Sequence, residues 1–219
     1  LVLGNTMVMK PSELVPLSTV RMAELLKEAG LPDGVFNIVN GGKEVVEAIC
    51  DHPKIEAVSF VGSTKVAKIV YKRAASNLKR CVALGGAKNH LIVLPDANLE
   101  MTASNVVASM AGCAGQRCMA ASVMVGVDKV QHIIDRMVED AKAIVPGDNL
   151  GSVITKEAKE RIEGYIDEAE KNGAKILLDG RNTTVPGKEG GYYVGPTIID
   201  YVTTDMSVAR EEIFGPVIS

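Results

Sequence analysis

The sequence predicts an α/β protein. Short apolar runs alternate with stretches of helical periodicity through the first half, Gly or Pro punctuates nearly every switch, and the alternation resumes after Gly85-Gly86. A β-α-β-α-β-α order implies a mostly parallel sheet with helices on both faces.

The elements follow in order. Leu1 to Met9 reads as a buried strand interrupted by a Gly4-Asn5 turn. Leu17, Val20, Ala23 and Leu26 mark one face of a helix closed by Gly30, with Pro32 just beyond. Val35 to Val39 is a short strand ending at Gly41-Gly42, and Val45, Val46 and Ile49 suggest a short helix. Ala57 to Val61 is a strand that runs into Gly62-Ser63-Thr64, opening a helix from Thr64 to about Ala75. In the second half, Leu91 to Leu94 is a strand and Asp96 is expected to cap a long helix through Val106, Val107 and Met110. Val123 to Val127 is a strand, followed by an amphipathic helix with Ile133, Ile134, Met137 and Ala141 on its apolar face. Ile162, Tyr165, Ile166 and Ala169 define a further helix closed by Gly173, then a strand covers Lys175 to Leu178. Arg181 to Gly191 is a polar, Gly-rich loop, and Tyr192 to Asp200 returns to extended chain. A domain boundary is expected near residue 86.

Composition narrows the classes. The 219 residues carry a net charge of −3 with acids and bases interspersed, so no basic face is offered to nucleic acid. No apolar run approaches the roughly 20 residues that cross a bilayer. The four cysteines, Cys50, Cys81, Cys113 and Cys118, are too sparse for a disulfide framework and read as free thiols. Leu1 to Asn5 shows no targeting pattern. With no initiator Met, and strand-like residues at both ends, the chain is expected to be a piece of a longer protein.

Gly112-Cys113-Ala114-Gly115-Gln116-Arg117-Cys118 surrounds a thiol with small residues and sets a cation before it. Small neighbours let a substrate approach the sulfur, and a nearby cation or helix-end N–H groups raise the thiolate fraction. A buried inert cysteine is the alternative for Cys118. Cys113 lacks the adjacent Arg and reads as packing. Zinc is not expected, because structural zinc sites use two short-spaced pairs and Cys113 with Cys118 has no second pair. Phe60-Val61-Gly62-Ser63-Thr64 follows a strand and opens a helix, where Gly62 admits a close ligand and Ser63 with the helix N–H groups can bind phosphate. A plain helix cap is the alternative there.

Lys10-Pro11-Ser12-Glu13, Phe60-Val61-Gly62-Ser63-Thr64, Gly115-Gln116-Arg117-Cys118 and Glu212-Ile213-Phe214-Gly215-Pro216 resemble, in order and separation, the motif series of the aldehyde dehydrogenase superfamily. The resemblance covers essentially the whole chain. It implies an aldehyde dehydrogenase-like α/β fold: residues 1–85 as the C-terminal part of a Rossmann-type NAD-binding domain, and 86–219 as most of an α/β catalytic domain, truncated at its C-terminal end. It implies that Cys118 attacks the aldehyde carbon and that the resulting thiohemiacetal gives hydride to NAD and becomes a thioester. Lys10 and Glu13 would hold the adenosine ribose, Gly62, Ser63 and Gly85 would line the cofactor path, Glu212 would hold the nicotinamide ribose and Phe214 would pack near the nicotinamide. Taken singly, these residues would pass for a solvated turn, a helix cap and a charged loop. Glu13 favours NAD over NADP, since its charge repels a 2′-phosphate.

Most hydrolytic members of the superfamily carry a Glu before the Gly-Gly pair, which helps water attack the thioester. Here the stretch is Val82-Ala83-Leu84-Gly85-Gly86, and neither Ala83 nor Leu84 can act as a base. A thiol such as coenzyme A needs less activation than water. Gly86-Ala87-Lys88-Asn89-His90 and Gly115-Gln116-Arg117-Cys118-Met119 resemble the CoA-acylating methylmalonate-semialdehyde dehydrogenases, in which the Arg before the nucleophile binds the substrate carboxylate. Arg117 has the planar fork for that role. Tuning the thiol or facing a structural acid are the other readings of Arg117. The expected activity is NAD-dependent oxidation of methylmalonate or malonate semialdehyde with decarboxylation, giving propionyl-CoA or acetyl-CoA.

Two alternatives stand beside it: a hydrolytic aldehyde dehydrogenase acting on another aldehyde, and a catalytically silent piece serving as a structural module. The resemblance sets the oxyanion-stabilising Asn, part of the cofactor domain and an oligomerisation arm upstream of Leu1. It further implies a small-molecule aldehyde as partner, a homo-oligomer (dimer or tetramer) at full length, and a bacterial cytoplasmic or mitochondrial matrix setting.

Overall fold

The structure, a computed structural model, describes residues 1–219. It divides into two compact units, Leu1–Gly86 and Ala87–Ser219.

The first unit runs β1 (Met7–Met9), α1 (Leu17–Glu28), β2 (Phe36–Ile38), α2 (Lys43–Asp51), β3 (Ala57–Val61), α3 (Thr64–Ser76) and β4 (Arg80–Leu84). Strand β1 pairs parallel with β2, and β3 pairs parallel with β4 from Ala57 opposite Arg80 to Val61 opposite Leu84. Parallel neighbours need a long return connection, which α1 and α3 supply. The two pairs are separate two-stranded sheets rather than one continuous sheet. Cys50, Val58, Val70 and Ala74 form the core, with Val46, Ile49, Ile55, Phe60 and Cys81 packed against it. Burial pushes the Cys50 and Cys81 thiols above their ordinary range, which keeps them protonated and inert.

Two readings of this half change. Leu1 to Met9 is not a buried strand: the Gly4 N–H donates back to the Leu1 carbonyl at 2.9 Å, Gly4 takes a left-handed φ of 85°, and Val2 and Leu3 face solvent. Arg80 to Leu84 carries no strand expectation from sequence, because its apolar alternation is short and follows closely on α3; its pairing with β3 makes it a strand.

The second unit runs β5 (His90–Val93), α4 (Leu99–Ala111), β6 (Val123–Gly126), α5 (Gln131–Lys142), α6 (Lys156–Lys171), β7 (Lys175–Leu178), β8 (Thr197–Asp200), α7 (Ser207–Arg210) and β9 (Val217–Ile218). β5 pairs parallel with β6, β8 pairs parallel with β9, and β7 is antiparallel to β8. Ser219 stitches the two sheets together: the Met124 N–H donates to its carbonyl at 2.7 Å, and its own N–H donates to the Ser122 carbonyl at 3.1 Å. Met110, Ile133, Met137, Ile162, Ile166, Val208 and Ile218 are fully buried beneath these strands, each contributing roughly 1.5–3 kcal/mol by leaving water. Helix α4 begins two residues later than Asp96 suggests, because Asn98 is the cap and its Oδ1 accepts the Met101 N–H at 2.9 Å. No helix is long and apolar enough to cross a membrane.

Candidate active site

In the first unit, the candidate cofactor residues sit where parallel strands end. Lys10 follows β1, Gly62 and Ser63 follow β3, and Gly85 follows β4; ligands of open α/β sheets bind outside such carboxyl ends. The Lys10 ammonium donates to the Gly41 carbonyl at 2.8 Å and to Glu13 at 3.2 Å. Its side chain is 14% exposed against 62% for Glu13, so the ammonium is anchored while the carboxylate stays open. Backbone hydrogen bonding first, then Lys10, holds the Glu13 carboxyl below the usual carboxylate range. Ser63 caps α3, its Oγ accepting the Val66 N–H at 3.5 Å. Gly62 and Gly85 both need to lack a side chain. A Cβ on Gly62 would lie 2.6 Å from the Phe60 ring, and one on Gly85 would lie 2.8 Å from Thr64 Oγ1. Thr64 Oγ1 also accepts the Gly86 N–H at 3.0 Å, fastening the exit of β4 to the start of α3.

In the second unit, α4 delivers the thiol. Gly112 ends the helix, and Cys113, Ala114 and Gly115 then take left-handed φ values of 53°, 53° and 68°. Two such residues in a row without glycine cost of order 1–3 kcal/mol each, so this turn needs support. Gln116 gives it: its side-chain N–H donates to the Cys113 carbonyl at 3.1 Å and its Oε1 accepts the Ile154 N–H at 2.9 Å. Cys113 is exposed on this turn, not packed in the core, because the left-handed backbone swings it outward.

Arg117 folds back over the end of α4, where one guanidinium nitrogen donates to the Ala108 and Ser109 carbonyls at 3.0 and 2.8 Å. The Ala108 carbonyl also accepts the Gly112 N–H, and both carbonyls lie in the last turn of α4, at the negative end of the helix dipole. No carboxylate pairs with Arg117, and a Cβ on Gly112 would lie 2.2 Å from its guanidinium. A recess of about 260 Å³ opens between Ala108, Ser109, Arg117 and Met119. Cys118 is exposed and its backbone is held by a residue sequence reasoning missed. Asn89 Nδ2 donates to the Cys118 and Ala120 carbonyls, both at 2.8 Å, while its backbone N–H donates to Ser122 Oγ at 2.9 Å.

Glu212 and Phe214 come to the same place by a backbone interlock. A Cβ on Gly115 would lie 1.9 Å from the Gly215 carbonyl oxygen, so the thiol loop and the Glu212–Pro216 loop meet main chain to main chain. Arg161 on α6 donates to the Ile213 carbonyl at 3.0 Å, and Tyr165 donates to Glu211 at 2.6 Å. Arg117, Cys118, Glu212 and Phe214 thereby line one narrow cleft of about 20 Å³, together with Ala87, Asn89 and Gly115. That volume has room for a single water. Neither Asn89 nor the Gly115–Gly215 contact had a local signal, since each owes its role to a partner distant in sequence. No group of three or more His, Cys, Asp or Glu side chains is arranged to hold a metal ion.

An exposed thiol on a braced turn shares a cleft with a carboxylate and an aromatic ring on an α/β scaffold, an arrangement open to a small electrophile. The chain belongs to the aldehyde dehydrogenase family, whose model matches residues 1–219. It is 50% identical over 223 residues to malonate-semialdehyde dehydrogenase 2 of Bacillus thuringiensis (strain Al Hakam), covering 99% of this chain and 46% of that protein. It is 49% identical over 224 residues to the human mitochondrial methylmalonate-semialdehyde/malonate-semialdehyde dehydrogenase [acylating], covering 100% of this chain and 42% of that one. The chain therefore spans less than half the length of these curated relatives. A crystal structure from Sinorhizobium meliloti 1021, complexed with NAD, superposes with a TM-score of 0.92 at 46% identity, over 98% of this chain and 45% of that one.

Proposed function

We propose that this chain supplies the thiol and part of the cofactor grip of an NAD-dependent, CoA-acylating dehydrogenase of malonate or methylmalonate semialdehyde. The observation that carries the reading is the shared cleft of Arg117, Cys118, Glu212 and Phe214; the sequence adds that Ala83 and Leu84 precede Gly85-Gly86, with no Glu before that pair. The bacterial malonate-semialdehyde dehydrogenase and the human mitochondrial acylating enzyme among the relatives support the substrate class and a bacterial or mitochondrial setting.

The residues fit NAD. Gly62 and Gly85 at the ends of β3 and β4 keep the backbone bare where a Cβ would meet Phe60 and Thr64, and Glu13 offers an open carboxylate for a ribose. Lys10, Glu13, Gly62, Ser63 and Gly85 would hold the adenosine and pyrophosphate parts. Glu212 would accept from the nicotinamide ribose and Phe214 would pack near the ring. On this reading Leu1–Gly86 is the C-terminal part of the NAD-binding domain and Ala87–Ser219 most of the thiol domain. The full-length protein would work as a homo-oligomer.

Cys118 as thiolate adds to the aldehyde carbon, and the bond pair of C=O moves to oxygen. Asn89 holds the Cys118 carbonyl while this happens, and Gln116 holds the turn that leads to it. NAD, when bound, supplies the hydride acceptor. The thiohemiacetal on Cys118 thereby becomes a thioester. Arg117 holds the substrate carboxylate with its free donors until that group leaves as CO₂ and the α-carbon takes a proton. The thiolate of coenzyme A then displaces Cys118, which needs no carboxylate base.

Replacing Arg117 by Leu tests the substrate assignment. KM for malonate semialdehyde should rise about a hundredfold, the loss of a charge-assisted bidentate pair, with KM for propanal nearly unchanged. An equal rise for both substrates would remove the carboxylate role.

A further inference from the structure

Helix α6 meets the loop that carries Glu212 and Phe214 at three places, and the reaction above uses none of them. Tyr165 donates to Glu211 at 2.6 Å, Arg161 donates to the Ile213 carbonyl at 3.0 Å, and Ile162 crowds Gly215, where a Cβ would lie 2.7 Å from its side chain. Between Ile213 and Gly215 sits Phe214, with a left-handed φ of 54°. A bulky residue persists there only where its surroundings over-determine the backbone, and such strain gathers at ligand clamps. The Ile213 carbonyl shares one rigid peptide plane with the Phe214 N–H, so Arg161 fixes the plane from which that φ is set. Beyond Phe214, the Pro216 carbonyl accepts the Thr197 N–H at 2.9 Å and ties the chain to β8. Ahead of it, Glu211 is extended, with φ −102° and ψ 148°. Successive residues of an extended segment point to opposite sides, so drawing Glu211 toward α6 turns Glu212 toward the cleft. Glu212 lines that cleft with Cys118, and Glu211 does not.

We propose that Tyr165 and Arg161 are positioning residues for the nicotinamide end of the cofactor site: Tyr165, through Glu211, sets the side chain of Glu212, and Arg161, through the Ile213 carbonyl, sets the ring of Phe214. This rests on the reading of Glu212 as a ribose ligand and of Phe214 as the neighbour of the nicotinamide. Neither Tyr165 nor Arg161 lines the cleft, so each acts through the loop. A side chain already held in its bound position loses less freedom when the ligand arrives, which is where the affinity comes from. Burial first, and then the bond to Glu211, pushes the Tyr165 hydroxyl up to about 12, so the phenol remains a donor through neutral and mildly alkaline pH.

The test is calorimetry on the full-length protein with two probes, NAD and ADP. ADP carries the adenosine and the pyrophosphate but no nicotinamide ribose. Tyr165→Phe keeps the packing of the ring and deletes only the hydroxyl. It should weaken NAD about tenfold and leave ADP within about twofold, the loss of one charge-assisted contact confined to one end of the ligand. Arg161→Met should show the same split. A role in stability alone would weaken both ligands together or neither. In a Glu212→Gln background, Tyr165→Phe should weaken NAD no further, because the two changes remove one interaction. Unchanged NAD affinity in either variant, an equal loss for ADP, or an additive loss on top of Glu212→Gln overturns the proposal. Glu212→Gln alone separates the levels. If it leaves NAD affinity unchanged, the ribose reading of Glu212 fails and takes this proposal with it. If it weakens NAD while Tyr165→Phe and Arg161→Met do not, only the positioning role fails.

Discussion

The two units place their functional residues by different means. In Leu1–Gly86 the core is small: Cys50, Val58, Val70 and Ala74 form it, and α1 buries no residue at all. The candidate residues sit on turns at strand ends, held by single contacts such as Lys10 to Gly41 and Thr64 to Gly86. In Ala87–Ser219 a continuous core runs from α4 through α5 and α6 to β9, and the thiol is wired into it. Gln116 and the Gly115–Gly215 contact brace the left-handed turn, Arg117 ties the thiol segment to the end of α4, and Asn89 holds the Cys118 carbonyl. Ribose and phosphate groups need backbone access at open turns, whereas a reacting sulfur needs a geometry held to fractions of an ångström.

The sharpest break in that contrast comes from glycine. Gly115→Ala puts a methyl group 1.9 Å from the Gly215 oxygen at a φ of 68°, and should cost about 3–4 kcal/mol, overpacking and left-handed strain together. Gly34→Ala in the first unit, with nothing within 4 Å and a φ of 85°, should cost about 1 kcal/mol. Denaturant midpoints of the two variants of the full-length protein measure the difference; equal losses would mean that the interlock does not hold the site.

Next in size is Asn89→Ala, which strips two donors from the Cys118 and Ala120 carbonyls. It should destabilise by about 2 kcal/mol and lower kcat more than it raises KM, because the sulfur loses its placement. A change in KM alone would speak against that role.

How much of this is readable beforehand depends on where the information lies. Cys118 with Arg117, and Gly62 with Ser63, are pairs adjacent in sequence, so their residue types and order nominate them as candidates. The strands β3 and β6 and the helices α3, α5 and α6 follow from apolar spacing for the same local reason. Asn89 is different. Nothing in Ala87-Lys88-Asn89-His90 says that one amide will hold a carbonyl 29 residues later. The Gly115–Gly215 contact, β4 and the outward turn of Cys113 likewise arise only when distant segments meet. Asp96 misled because Asn98, two residues on, is as good a cap and sits closer to the periodic apolar residues.

The smallest expected effect is on stability against pH. Lys88 has its amino group lowered from 10.5 to about 8 in the folded protein. Between those values the unfolded chain binds the proton and the folded chain does not. Below about pH 8 the folded state carries the cost of a buried ammonium, and stability rises as pH climbs from about 8 toward 10.5. The thermal midpoint should show that rise, and Lys88→Met should lack it; an unchanged slope in the variant would assign the rise to other groups.

The most direct measurement is the pre-steady-state release of NADH by the full-length protein mixed with malonate semialdehyde, with and without coenzyme A. A burst close to one NADH per thiol should appear in both cases. Turnover after the burst should be slow in water alone and rise steeply with coenzyme A, and Cys118→Ala should show no burst. Steady turnover that ignores coenzyme A would contradict the account, because water would then be deacylating the thioester in a chain that has Ala83 and Leu84 at the sequence position of the hydrolytic Glu.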